Sequence, residues 1–143
     1  MNQHLLRVAR PVVEFEEVIA AVRHHGGRVG WLELGEVAAA PLPEALEMAA
    51  GHGVLRAVAV GGGRAVAVKP MRGPAVLGDV LREHFRGCIL VLVHGDVDSP
   101  LLEPRGGGWA VLLEAGEKFL KTEELVAALR KPRPWKIADQ EQR

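Results

Sequence analysis

The first clear pattern along the chain is an apolar stripe at helical spacing near the N-terminus. Its apolar residues recur every three or four positions and are Val12, Phe15, Val18, Ile19 and Val22. This spacing predicts an amphipathic helix over residues 12–25, ended by two glycines. Shorter patterns then predict a strand over 28–31, a second helix over 32–39 and a third helix over 42–50, which begins beside a proline.

The pattern changes to alternation in the next segment. Residues 55–69 alternate mainly between valine and alanine on both sides of three consecutive glycines. Alternation with a period of two around a glycine cluster predicts a β-hairpin. If the three glycines form its loop, Val58 faces Val66 and Val60 faces Arg64.

The second half of the chain predicts a helix, two strands and a last helix. The first helix covers 77–87, and the apolar run 88–93 has no alternation, which is typical of a strand buried on both faces. The fourteen residues 95–108 predict a long loop. A returning strand over 109–115 is expected to pair with 88–93, and helical start and stop signals mark 122–131.

Composition is that of an ordinary globular protein. The 143 residues include 18 Lys and Arg against 18 Asp and Glu. Cys88 is the single cysteine, which excludes an internal disulfide. Its apolar run is too short to cross a bilayer, and the first residues lack the build of a signal peptide, so we expect a cytoplasmic protein without membrane contact.

The order of the predicted elements carries a family resemblance. Helix, short strand, helix, turn, helix and hairpin follow one another within 12–70, and the sequence Gly-Gly-Arg-Val-Gly-Trp-Leu-Glu-Leu over 26–34 links the first two helices. This arrangement resembles the winged helix-turn-helix module. The resemblance covers the N-terminal half and implies a winged-helix-like domain over 1–73. The local patterns add a helix-strand-loop-strand-helix unit over 74–131, which either extends the sheet of that domain or forms a second layer, and a flexible basic tail over 132–143, so the fold class is α+β.

A basic stretch coincides with the expected wing. Arg56, Arg64, Lys69 and Arg72 occur there without an intervening acidic residue. Such cations can contact a phosphate backbone, and in the resembled family the wing touches the nucleic acid while the third helix enters the major groove. Our leading hypothesis is therefore a small nucleic-acid-associated or transcription-related binding protein that is not an enzyme and needs no cofactor.

The expected third helix is acidic, which favours a second hypothesis. Glu44 and Glu47 are its polar residues, and carboxylates are repelled by phosphates. A noncatalytic protein-interaction adaptor would instead present them to a basic protein partner. Trp135 in the tail is either exposed, where it can stack on a base or dock in a partner groove, or folded back onto the protein. An open hairpin edge offers pairing with a second copy of the chain as a homodimer.

A third hypothesis comes from the end of the apolar run. His94, Asp96 and Asp98 place three candidate metal ligands at alternate positions. They suggest a metal-dependent hydrolase. The simpler interpretation is that the two aspartates turn the chain by hydrogen-bonding nearby backbone amides.

Overall fold

The computed structural model describes residues 3–35, 42–71 and 73–135, and it shows an α+β protein. None of the helices in these three ranges has the length and apolar character needed to span a membrane. In chain order the elements are β1 His4–Val8, α1 Glu16–His24, β2 Val29–Glu33, α2 Glu44–Ala50, β3 Ala57–Gly61, β4 Arg64–Val68, α3 Leu77–His84, β5 Leu90–His94, β6 Leu101–Arg105, β7 Gly108–Leu113, β8 Gly116–Leu120 and α4 Thr122–Ala128, with a 3₁₀ turn at Val12–Phe15 before α1.

The chain divides into two compact units. The first combines Met1–Gly35 with His84–Arg143, and the second is the continuous segment Glu36–Glu83. This division differs from the predicted 1–73 and 74–131, because β1 pairs with β5 and so joins the N-terminal residues to the second half of the chain. The elements expected to form one winged-helix module are therefore shared between the units: α1 and β2 lie in the first, and α2 with the β3–β4 hairpin lies in the second.

The first unit is built on a six-stranded mixed sheet with the order β2-β5-β1-β6-β7-β8. β5 pairs in parallel with both β1 and β2, and β1 also pairs in parallel with β6. The remaining pairs, β6–β7 and β7–β8, are antiparallel. The predicted hairpin between 88–93 and 109–115 is therefore wrong, because β1, β2, β6 and β8 provide the hydrogen-bonding partners of these two strands.

The core of the first unit lies between this sheet and the helices α1 and α4. Leu90 and Leu92 of β5 are fully buried, and so is Leu6 of β1, which is in register with Leu92. The helices contribute pairs four residues apart, so that each pair lies on one helical face; these are Val18 with Val22 and Leu125 with Leu129. Complete burial of such a side chain contributes on the order of 2 kcal/mol.

The second unit contains α2, the hairpin and most of α3. Val60 lies opposite Ala65, and Gly61 lies opposite Arg64, so the predicted three-glycine loop is wrong. The loop consists of Gly62 and Gly63, whose φ values of 57° and 76° are those of a type I′ turn. Glycine adopts this left-handed conformation without steric cost, and the twist of the turn matches that of the strands.

Two further predicted segments differ from the structure. Residues 32 and 33, expected to begin a second helix over 32–39, end β2 instead, and 36–40 lie outside the described residues. The expected loop 95–108 contains β6, which pairs with β7 across a turn at Gly106 and Gly107. Pairing with β7 satisfies the backbone of a segment whose own sequence has little strand character.

A substitution at Gly30 tests how Phe85 packs against β2. A Cβ atom at this position would lie 2.7 Å from Phe85 Cε1 and closer still to Cδ1. We expect Gly30→Ala to lower the free energy of unfolding by about 1–3 kcal/mol, because the ring has to move out of a packed position. Chemical denaturation measures the change. The control Gly106→Ala, where no atom lies within 4 Å, is expected to have little effect, and equal stabilities of the two variants would contradict this packing.

Candidate functional site

Two of the predicted phosphate-binding cations are engaged within the second unit. Arg56 Nη2 donates to Glu83 Oε1 at 2.6 Å, and Lys69 Nζ donates to Glu83 Oε2 at 3.0 Å. Each oxygen of this α3 carboxylate thus accepts a hydrogen bond from a cation next to the open end of the hairpin, where β3 begins and β4 ends. Arg64 is exposed beside the glycine turn, and Arg72 lies outside the described residues.

Glu44 and Glu47 lie on the outward side of α2. With Met48 they are spaced at three and four residues, so the three side chains share one helical face. All three are exposed, whereas Leu46 is buried. This face therefore presents two carboxylates beside an apolar side chain.

The described charged residues of the second unit fall into two groups, those that form ion pairs and those that do not. Five of its described charged residues pair with each other, in the Arg56–Glu83, Lys69–Glu83 and Asp79–Arg82 ion pairs. Among the residues that the structure describes, Glu44, Glu47 and Arg64 have no ion-pair partner. These three side chains carry a net negative charge, which the second cation on the single Glu83 carboxylate offsets across the unit, so the negative excess is local to the α2 face.

The second unit also exposes much of its apolar surface. Its exposed large hydrophobic residues are Met48, Val54, Leu55, Val58, Val60, Val66, Met71 and Val76. Val58 and Val60 are 53% and 81% exposed and lie on the same hairpin face. In contrast, Leu46 and Ala57 are the buried hydrophobic residues among the described positions of this unit. In the described part of this unit, large apolar side chains are therefore more often exposed than buried.

Trp135 folds back onto the first unit. Its indole packs against the core cluster and meets the His4 ring edge-on, with ring centroids 6.4 Å apart. The His4 Nε2 donates to the Leu129 carbonyl oxygen at 2.8 Å, which ties β1 to the end of α4. Of the two interpretations left open by the sequence, the structure shows the packed one.

The three predicted metal ligands are not brought together. Asp96 and Asp98 line a cleft of about 790 Å³ that also includes Arg7 and Glu114, whereas the His94 ring is bonded to Glu33. Across residues 3–35, 42–71 and 73–135, no group of three or more His, Cys, Asp or Glu side chains has an arrangement that could hold a metal ion.

A polar cluster absent from the sequence hypotheses lies at the carboxyl ends of β2 and β5. Their parallel register places Glu33 opposite His94. Glu33 Oε2 accepts a hydrogen bond from His94 Nδ1 at 2.8 Å, and Oε1 accepts one from Trp31 Nε1 at 2.8 Å. The indole donor, followed by the imidazole, holds the pKa of the Glu33 carboxyl below its ordinary value.

Glu33 is not among the predicted site residues, because the sequence pattern after residue 31 favours a helix. The sequence Val-Gly-Trp-Leu-Glu of β2 has no regular alternation of apolar and polar residues that would indicate a strand. A parallel partner strand also cannot be identified from local spacing, because the two strands come from distant parts of the chain. The sequence does contain one indication of the site. Two polar residues, Glu33 and His94, each come directly after an apolar segment.

Comparison with family models and with curated proteins gives no match. No protein-family model matches the chain, and no curated protein matches it. The roles proposed below are therefore supported by the contacts, exposure and charges of this chain's own residues.

Titration of Glu33 provides a direct test of the cluster. Because its pKa is lowered in the folded state, the stabilisation it gives is present above the pKa of the unfolded chain and is lost as pH falls through the folded-state pKa. We expect Trp31→Phe to raise the pKa of Glu33 part of the way to the ordinary value, because the indole N–H donor is lost. Carboxyl NMR shifts measure this change. Trp135→Phe is the control, and an equal Glu33 titration in both variants would disprove the role of the indole.

Proposed function

We propose that the second unit is a noncatalytic protein-interaction module that binds a basic, partly apolar protein segment through the Glu44, Glu47 and Met48 face of α2. The observation that carries the proposal is the charge inventory: the cations Arg56 and Lys69 hold an internal carboxylate, whereas the two α2 glutamates have no ion-pair partner among the described residues. Two such unpaired carboxylates on one helical face favour a basic partner.

The side chains of this face suit a protein segment better than a phosphate backbone. Two carboxylates on one helical face attract Lys or Arg side chains at matching spacing, and they repel phosphates. Met48 is 59% exposed beside them. A flexible thioether adapts to apolar side chains of different shapes, which suits recognition of an amphipathic segment.

A peptide of defined sequence tests this proposal even though the natural partner is not identified. The probe is a labelled amphipathic peptide with lysines along one face and leucines along the other, titrated with the full chain and followed by fluorescence anisotropy. We expect Glu44→Gln/Glu47→Gln to weaken binding by about three- to tenfold, because exposed charge contacts are individually modest. Added salt should reduce the difference between wild type and variant.

The matched control removes the same charge elsewhere. Glu16→Gln/Glu17→Gln changes two exposed glutamates at the start of α1, in the first unit. This variant is expected to bind the peptide as wild type does. Absence of wild-type binding, or equal weakening by both double variants, would exclude the α2 face as the docking surface.

Arg64 supports a second candidate function, contact with a nucleic-acid backbone. It is exposed beside the hairpin turn and has no ion pair within the described part of the chain. A helix followed by a glycine-tipped hairpin is also the portion of the winged-helix resemblance that the second unit contains. In this proposal the hairpin is the wing, and Arg64 contacts phosphates without reading sequence.

The salt dependence of duplex binding tests this second candidate. If Arg64 contacts one phosphate, Arg64→Ala should weaken binding of generic duplex DNA and reduce the slope of log affinity against log salt by about 1. Arg82→Ala is the control, because Arg82 is already paired with Asp79 in the same unit. Fluorescence anisotropy at several salt concentrations measures the slopes. Equal slopes for wild type and Arg64→Ala would rule out this contact.

A further inference from the structure

A second cleft lies beside the polar cluster of Glu33, His94 and Trp31, in the first unit. Its volume is about 470 Å³, within the range of small-molecule sites. It lies at the carboxyl ends of parallel strands, where ligands commonly bind in open α/β sheets. The residues that line it are Ala9, Pro11, Val12, Trp31, Glu33 and His94.

The hydrogen bonds of Glu33 determine what this cleft can offer a ligand. A carboxylate only accepts, so the 2.8 Å contact requires a proton on His94 Nδ1. In the neutral imidazole the second nitrogen, Nε2, is then an acceptor. Both Glu33 oxygens already accept a hydrogen bond, one from His94 and one from Trp31. With its imidazole neutral, His94 therefore offers Nε2 as an acceptor that Glu33 does not occupy.

The remaining walls of the cleft are apolar or aromatic. The Trp31 ring lies 6.3 Å from the His94 ring at an interplanar angle of 37°, and 6.1 Å from the buried Phe15 ring. Phe15 and the bond to Glu33 thus hold the indole in place from two directions. Ala9, Pro11 and Val12 follow β1 and complete the apolar wall. A ligand here meets a positioned aromatic side chain and a polar pair, Glu33 and His94, that can accept hydrogen bonds.

We infer that this cleft binds a small uncharged aromatic molecule that carries a hydroxyl group, a ligand of the phenol class. The ring packs against Trp31 and the apolar wall, and the hydroxyl donates to His94 Nε2. The carboxylate of Glu33 disfavours an anionic ligand. This site is separate from the proposed docking face, because all of its residues belong to the first unit.

Phenol and anisole form a matched pair of probes. The two molecules share the ring, but anisole has a methyl ether where phenol has its hydroxyl donor. We expect the wild-type chain to bind phenol about three- to tenfold more tightly than anisole, the difference that one neutral hydrogen bond gives. NMR titration followed at the Trp31 indole N–H measures both affinities. No saturable shift with phenol, or equal affinity for both probes, would overturn the inference.

Substitutions then locate the acceptor. His94→Phe keeps an aromatic ring and should remove the preference for phenol over anisole. Glu33→Gln should reduce the preference, because the amide nitrogen cannot accept a hydrogen bond and the Nδ1 proton is no longer fixed. Asp96→Asn, which changes the other cleft, is expected to keep the wild-type preference. Persistence of the preference in both His94→Phe and Glu33→Gln would show that the hydroxyl is bound elsewhere.

Discussion

The position of β5 between β1 and β2 is the constraint on which the first unit depends. Every residue from Leu90 to Val93 is fully buried, so both faces of this strand need apolar cover. Its backbone is satisfied on both sides by parallel pairing with β1 and β2. A central strand of this kind cannot be removed without exposing both the apolar faces and the hydrogen-bonding groups of its neighbours.

The same pairing creates the polar cluster at the end of the sheet. Parallel strands end at a common edge, and the register puts the last residue of β2, Glu33, opposite the last residue of β5, His94. Two residues earlier on β2, Trp31 points to the same face of the sheet and reaches the same carboxylate. A shift of the β2–β5 register by one residue would put Glu33 and His94 on opposite faces of the sheet. The geometry of the dyad is therefore a direct consequence of how the core strand pairs.

Local sequence predicted most elements but not their partners. The apolar run 88–93 correctly indicated a buried strand, because a strand that is buried on both faces has apolar residues at successive positions without alternation. Its neighbours could not be predicted, since β1 and β2 are separated from it by the whole second unit. The hairpin was found for the same local reason, and its register was missed by one residue because three glycines allow more than one loop.

The candidate site was less predictable than the fold, and the cations show why. Arg56, Arg64 and Lys69 look equivalent in the sequence, as a basic segment without acids. The structure separates them, because Glu83 lies beyond the segment and holds Arg56 and Lys69 while Arg64 stays at the hairpin tip. Whether a charge is available to a partner depends on where the folded chain brings its counter-charges. Local charge patterning therefore overstated the basic character of the hairpin, whereas the acidic character of α2 was visible in the sequence.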